Sequence, residues 1–305
     1  KNAMPKKIKV PEPEENLKII DVHCHLPFPR PKKNDRLPSD EQQYRDFLNN
    51  GGVYLVTSSI DNSTLDLILK FVKNKEKIGF TCGWAPQTVT YTTEAQYDRE
   101  WKKWVEFIEN NQDQYLAIGE VGLDFHHAKT LEKREKQVTE LKKIFEFTAE
   151  FNKPYILHVR NAAEHEFDRD HPKHRHNKRD GATKEILNLI DEFHISPKKV
   201  IWHCFSGPDE YGITLPKQGY ILSVPSSAYS VNKWRRVTKQ SPLTALVTET
   251  DSYYQHPYLR GPVNVPLNVK YSIAALAYSH NTSQQEVSRI TVENAINFFN
   301  LDIVL

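Results

Sequence analysis

Lys18-Ile19-Ile20-Asp21-Val22-His23-Cys24-His25 opens the globular part of the chain as an apolar, β-branched run that ends in two histidines with no glycine nearby. An open doubly wound sheet places a Gly-rich phosphate loop at the end of its first strand. The lack of one here favours a different arrangement of strands. Seven more β-rich runs appear, over Val53–Ile60, Ile78–Ala85, Tyr115–Phe125, Pro154–Arg160, Lys199–Phe205, Gly219–Pro225 and Ala245–Asp251. Amphipathic stretches lie between them, such as Asn62–Lys75, Glu94–Glu109 and Leu131–Asn152. In the last, Leu141, Ile144, Phe145 and Thr148 recur at three- and four-residue steps, the helix period. Strands alternating with helices imply βα units on a parallel sheet. Eight such units predict an α/β fold closed as a TIM-type (β/α)8 barrel. The tail from Val263 to Phe299 reads as two further helices, and no internal repeat is found.

The 305 residues suit one such barrel, spanning 17–305, with no linker-like stretch to divide it. Residues 1–16 stand apart. Lys1–Met4 reads as a tag remnant, and Pro5–Glu15 lacks the apolar centre of a signal peptide, so a loose N-terminal arm is expected. Mean hydropathy is −0.64 and no run of about 18 apolar residues occurs, so no membrane association is expected. Cys24, Cys82 and Cys204 form no even framework and lack the close paired spacing of a zinc cluster. Buried, reduced thiols of a cytoplasmic protein are expected. A net charge of +2 falls short of the basic field of a constitutive DNA binder; it neither demands nor excludes nucleic acid. Glu164–Asp180, EHEFDRDHPKHRHNKRD, is too polar to build a core and reads as a long loop after the fifth strand.

Along a strand, residues two apart share a face, so Asp21, His23 and His25 point together. At the C-terminal mouth of a barrel, two such histidines make half of a metal site. Glu120, in Gly119-Glu120-Val121-Gly122, is a carboxylate in an apolar run, which has to be paired, protonated or metal-bound. His158, His203 and Asp251 each follow apolar residues at the expected ends of strands five, six and eight. Taken singly, each is better read as a satisfied buried histidine or a salt-bridged carboxylate. Six on five strands, all at one end, point instead to two divalent ions.

DVHCHL, GEVGLDFH, ILHVRNA, WHCFSG and ETDS together resemble the TatD family of metal-dependent deoxyribonucleases, within the amidohydrolase-like barrel superfamily. RGPVNVP at 260–266 and ENAINFF at 293–299 are looser matches, and the resemblance runs from Lys18 onward. It implies a first metal on His23, His25, Glu120 and Asp251. A second would sit on Glu120, His158 and His203, with Glu120 bridging. No lysine stands at the bridging position, so a carbamylated-lysine centre is not implied. Two departures are visible: Ala85 follows Trp84 where the family often has histidine, and Tyr253 replaces the proline of ETDSP. The loops at Pro27–Arg36 and Glu164–Asp180 are enlarged.

The activity implied is exonucleolytic hydrolysis of DNA at single-stranded or accessible ends. Two ions of zinc, magnesium or manganese would bring the pKa of water toward about 7 and neutralise charge on phosphoryl oxygens. Asp251 is the candidate to orient the water and accept its proton, or it serves only as a ligand. Arg160, two residues after His158, either forks onto a phosphate oxygen or pairs with a carboxylate at the mouth. Asp124 and Glu249 are read as groups that orient histidines. His126 and His127 are candidates for substrate contact, and Arg260 and Asn264 for support of the mouth. His171–Arg179 could grip a nucleic-acid backbone, but a solvated loop balanced by nearby acids is the preferred reading, and no third metal is expected there. Trp84 and Phe205 either stack on a base or fill the core. Two other functions remain open. One is hydrolysis of a small-molecule amide, lactone or ester; the other is a catalytically idle barrel serving as an interaction module.

Overall fold

A computed structural model describes residues 9–29, 37–163, 174–303 and 305. Its strands are β1 (Ile19–Cys24), β2 (Gly52–Ser58), β3 (Ile78–Cys82), β4 (Ala117–Asp124), β5 (Tyr155–Arg160), β6 (Val200–His203), β7 (Ile221–Pro225) and β8 (Leu246–Glu249). They form one parallel sheet in chain order, the nearly closed barrel expected of repeated βα units. The seam between β8 and β1 is stitched at the mouth. Asp251 N–H donates to His23 O at 2.8 Å and His25 N–H to Ser252 O at 2.9 Å. The Asp21 carboxylate accepts from Thr250 N–H at 3.0 Å and from the Thr250 hydroxyl at 2.5 Å. Asp21, expected to face the mouth with the histidines, is therefore spent on the seam. The register of β1 shifts between Asp21 and Cys24, which breaks the two-residue alternation there.

The helices are α1 (Asp40–Asn49), α2 (Asn62–Val72), α3 (Pro86–Tyr91), α4 (Glu94–Asn110), α5 (Leu131–Thr148), α6 (Gly181–Glu192), α7 (Tyr211–Gln218), α8 (Asn232–Thr238), α9 (Val269–His280) and α10 (Gln284–Phe299). Local chemistry starts several of them. Asp61 and Thr64 close a capping box at α2, while Thr130 and Ser283 cap α5 and α10. No helix among the described residues is long and apolar enough to cross a membrane.

Two apolar layers arise from the strand alternation. Ile156, Ile201 and Val247 lie two residues before His158, His203 and Glu249, so they share their face. With Ile20, Val22, Val56 and Ala117 they fill the barrel beneath the mouth, and Val292, Ala295 and Phe299 of α10 join that cluster. The other face packs against the helices. Trp84 is there, buried among Trp101, Trp104 and Tyr97 at ring distances of 5.6, 5.9 and 6.4 Å. Phe205 is buried against Trp202. Both are core residues and neither is available to stack on a base. Cys24 and Cys82 are buried, Cys204 is half-buried, and all three are free thiols.

Two expectations are corrected. The arm is not loose over its described part. Val10 is buried against Tyr229 and Ala274, the Gln284 side chain bonds Glu14 N–H and Glu12 O at 2.9 Å each, and Tyr229 donates to Glu12. An apolar residue within reach of an open aromatic face buries there. The second concerns the polar stretch after β5, of which 164–173 lie outside the described residues. From His174 onward it is not a solvated loop. A 3-10 turn at Arg175–Asn177 buries His176 and Asn177, and Arg134 reaches Asn177 Oδ1 at 2.5 Å. Arg175 pairs with Glu185 of α6 and Arg179 with Glu210, although both side chains stay exposed to water.

Candidate metal centre

His23, Glu120, His158 and His203 come from β1, β4, β5 and β6; His25 and Asp251 sit just past β1 and β8. The strands bring all six to one mouth. Asp251 reaches its place in a left-handed backbone conformation, φ 51°, anchored by the bond to His23 O. Gly122 has φ 148°, and a Cβ there would stand 1.9 Å from His158 O, so β4 and β5 approach as only glycine permits.

Glu120 lies at the centre, and its two oxygens face different partners. Oε2 is 3.3 Å from His23 Nε2 and 3.6 Å from His25 Nε2. Oε1 is 2.7 Å from His158 Nδ1 and 3.8 Å from His203 Nε2. Asp251 Oδ1 completes the first group, 3.3 Å from His25 Nε2 and 3.7 Å from His23 Nε2. Most of these separations exceed a hydrogen bond. Two atoms each about 2.0–2.2 Å from a shared ion stand about 3.0–3.6 Å apart at ordinary coordination angles. His23 makes the same point from the other side: it is fully buried and neither ring nitrogen has a hydrogen-bond partner. Such orphaned groups are costly unless something absent from the protein satisfies them. The donor set of four imidazoles and two carboxylates fits a pair of divalent ions.

The histidines are held from behind. His25 Nδ1 is 2.9 Å from Ser58 O. His158 Nε2 is 3.0 Å from Asp124 Oδ2, and His203 Nδ1 is 3.4 Å from Glu249 Oε1, whose other oxygen accepts from Ser223. Each ring thus presents its remaining nitrogen to the mouth, the arrangement that sets a metal-binding tautomer. Asp124 also accepts from His127, at its backbone N–H (2.9 Å) and ring Nδ1 (2.8 Å).

The packed charges shift one another's titration. Burial alone would lower His25 and His158, but Asp251 and Glu120 carry His25 up to about 9, and Glu120 with Asp124 carries His158 up to about 10. Burial likewise opposes Glu120, yet His158 and His203 hold its carboxyl well below the usual range. His23 goes the other way, lowered by burial and by His203.

Above the six lies a cavity of about 700 Å³. His127, Arg160, Lys233, Trp234, Tyr91 and Tyr254 line it together with His25, Glu120, His158, His203 and Asp251. Arg160 is exposed and has no carboxylate partner among the described residues, which leaves the ion-pair reading without support. Lys233, on α8, escaped notice in the sequence. Burial lowers its pKa and Arg160 lowers it further, so the two cations face one cavity. Asn264 braces the mouth, its amide donating to Ser226 Oγ, Thr250 O and Tyr254 O at 2.9, 3.1 and 2.7 Å. Arg260 is exposed and His126 half-buried; neither lines the cavity.

Comparison with known proteins agrees with this picture. The family model described as TatD related DNase matches residues 20–300. An uncharacterized metal-dependent hydrolase of Methanocaldococcus jannaschii is 26% identical over 284 residues, covering 93% of this chain and 98% of its own. The human protein named deoxyribonuclease TATDN3 is 27% identical over 290 residues, with coverage of 92% and 94%. Among solved structures, a TatD homolog from Escherichia coli superposes with a TM-score of 0.72 at 20% identity, over 93% of this chain and 98% of that one. A TatD family hydrolase from Entamoeba histolytica gives 0.74 at 18%, over 93% and 99%.

Proposed function

This chain belongs to the TatD related DNase family and is one of its metal-dependent hydrolases, and from that premise we propose that its substrate is DNA, cleaved at phosphodiester bonds from an accessible end. The observation that carries the reading is the divided carboxylate of Glu120, one oxygen toward His23 and His25, the other toward His158 and His203. That division suits two ions with Glu120 between them: one on His23, His25 and Asp251, the other on His158 and His203. Zinc, magnesium and manganese all accept such ligands. When bound, the ions supply activated water at neutral pH and stabilise charge on phosphoryl oxygens.

The residues of the chain do the rest. The Asp251 carboxylate lies at the rim, and its oxygen not turned to His23 and His25 would accept the proton released as water attacks. Asp124 and Glu249 hold the rings of His158 and His203 in register. Arg160 and Lys233 offer the cavity two cations for phosphate oxygens, which a site for neutral amides or lactones does not need. The human relative's name, deoxyribonuclease, agrees with this substrate class. Residues 17–305 form the catalytic domain in this reading, and the three free thiols suit the reducing cytoplasm.

The test is release of nucleotides from 3′-labelled single-stranded DNA with magnesium, manganese or zinc, beside Asp251→Asn. Release by the wild type and its loss in the variant are expected. Silence of both with every metal would refute the DNA reading, and esters, lactones and amides would be assayed next.

A further inference from the structure

A second cluster with metal-binding chemistry lies outside the mouth. Glu135 is in the second turn of α5, and His174 and His176 belong to the turn that leads into α6. One ligand atom from each lies within 4.8 Å of the others. We propose that these three residues hold a zinc ion that clasps the chain after β5 to α5, with water as its fourth ligand.

His176 is the strongest witness. It is fully buried, yet both ring nitrogens lack a hydrogen-bond partner. Carboxylates stand on both sides at distances too long for good hydrogen bonds: Glu135 Oε1 at 3.6 Å from Nδ1 and Glu185 Oε2 at 3.4 Å from Nε2. A metal on Nδ1 resolves both defects. It fills the gap to Glu135, and it leaves the proton on Nε2, directed at Glu185. This is the carboxylate–histidine–metal relation that Asp124 and Glu249 supply at the mouth. His174 Nε2 lies 3.8 Å from the same Glu135 oxygen. A tetrahedron with zinc about 2.0–2.1 Å from each ligand has edges of about 3.3–3.4 Å, so the side chains at 3.6 and 3.8 Å need to draw in by only a few tenths of an ångström to close on the ion.

The neighbouring contacts among the described residues permit this. Arg175 makes its short contact with Glu185, 2.9 Å, and only approaches Glu135 to 3.8 Å. Glu135 therefore keeps an oxygen for the ion. His174 Nδ1 accepts from His176 N–H at 3.2 Å. Ligation through Nε2 moves a proton to Nδ1 and exchanges that long bond for the metal. The ring of His176 packs on Phe125 at 4.6 Å, and Phe125 follows Asp124, the residue behind His158. The clasp would thus steady the wall that positions the mouth without taking part in its chemistry.

The test is zinc content of the full chain, measured by native mass spectrometry and elemental analysis after equilibration with zinc and removal of excess. Wild type, His176→Gln and Glu135→Gln are compared. Glu135 is half-exposed, so its variant isolates ligand loss from any packing defect at buried His176. Each variant is expected to hold one ion fewer than wild type. An equal zinc count in wild type and Glu135→Gln would overturn the site and leave His176 simply as a buried ring flanked by two carboxylates. The difference carries the result, so it does not depend on how many ions the mouth holds.

Discussion

Asp124→Asn replaces one carboxylate oxygen with an amide NH2 and leaves every proposed ligand in place. Asp124 Oδ2 is faced by His158 Nε2 at 3.0 Å, His127 Nδ1 at 2.8 Å and Gln87 Nε2 at 3.2 Å, while Oδ1 accepts His127 N–H at 2.9 Å. Both oxygens therefore act only as acceptors. Burial would raise this carboxyl, but the bonds from His158 and His127 hold it well below the usual range. An asparagine has one acceptor oxygen and one amide NH2. If the oxygen takes the place of Oδ1, the NH2 confronts three donors. If it takes the place of Oδ2, the NH2 confronts a backbone N–H. At least one charge-assisted bond is lost either way, a cost of about 1.5–3 kcal/mol in the milder orientation. At about 1.4 kcal/mol per decade this is roughly 10- to 100-fold, the range seen when a carboxylate behind a metal-binding histidine is removed. The variant should fold, bind metal more weakly by that factor in a chelator competition, and release nucleotides correspondingly slowly at limiting metal. Metal affinity and turnover both within twofold of wild type would refute the role given to Asp124.

Three other outcomes are expected. Lys233→Ala should raise the KM for DNA several-fold and reduce the slope of log affinity against log salt by about 1, as for loss of one phosphate contact; an unchanged salt slope would remove Lys233 from the substrate path. Gly122→Ala should destabilise the protein by about 1–3 kcal/mol or more, since its Cβ meets the backbone of a neighbouring strand, and a thermal melt equal to wild type would contradict that close approach. In the metal-free protein, His25 and His158 titrate near 9 and 10, above the ordinary value of 6.5. The stability they contribute is complete below pH 6.5 and is lost as pH rises through 9 to 10, whereas metal binding needs both rings neutral and so releases protons at about pH 7. Calorimetry in buffers of different ionisation enthalpy should show that release, and binding enthalpies independent of buffer would contradict it.

The parts of the site borne on strands were legible because a strand's alternation and a barrel's single open end together restrict where a polar residue can point. His158 and His203 come after apolar residues of known facing, so their direction could be read directly. Asp21 departs from that rule because a register shift in β1 intervenes, and such irregularity leaves no mark in the hydrophobic pattern. The helical wall was not legible for another reason. Lys233, Trp234 and Tyr91 reach the cavity only because α8 and α3 fold back over the mouth, a matter of loop length and long-range packing. The polar stretch before α6 misled through composition. Arg175 and Arg179 stay largely exposed, yet the same turn buries His176 between Glu135 and Glu185 and sets Asn177 against Arg134, which composition alone does not signal.

The bridging position of Glu120 is the central claim, and anomalous diffraction from crystals grown with manganese or zinc reads it directly. Two peaks are predicted at the mouth. One should lie about 2.0–2.3 Å from Glu120 Oε2, among His23, His25 and Asp251; the other at a similar distance from Glu120 Oε1, beside His158 and His203. A single peak, or two peaks of which neither touches Glu120, would contradict it.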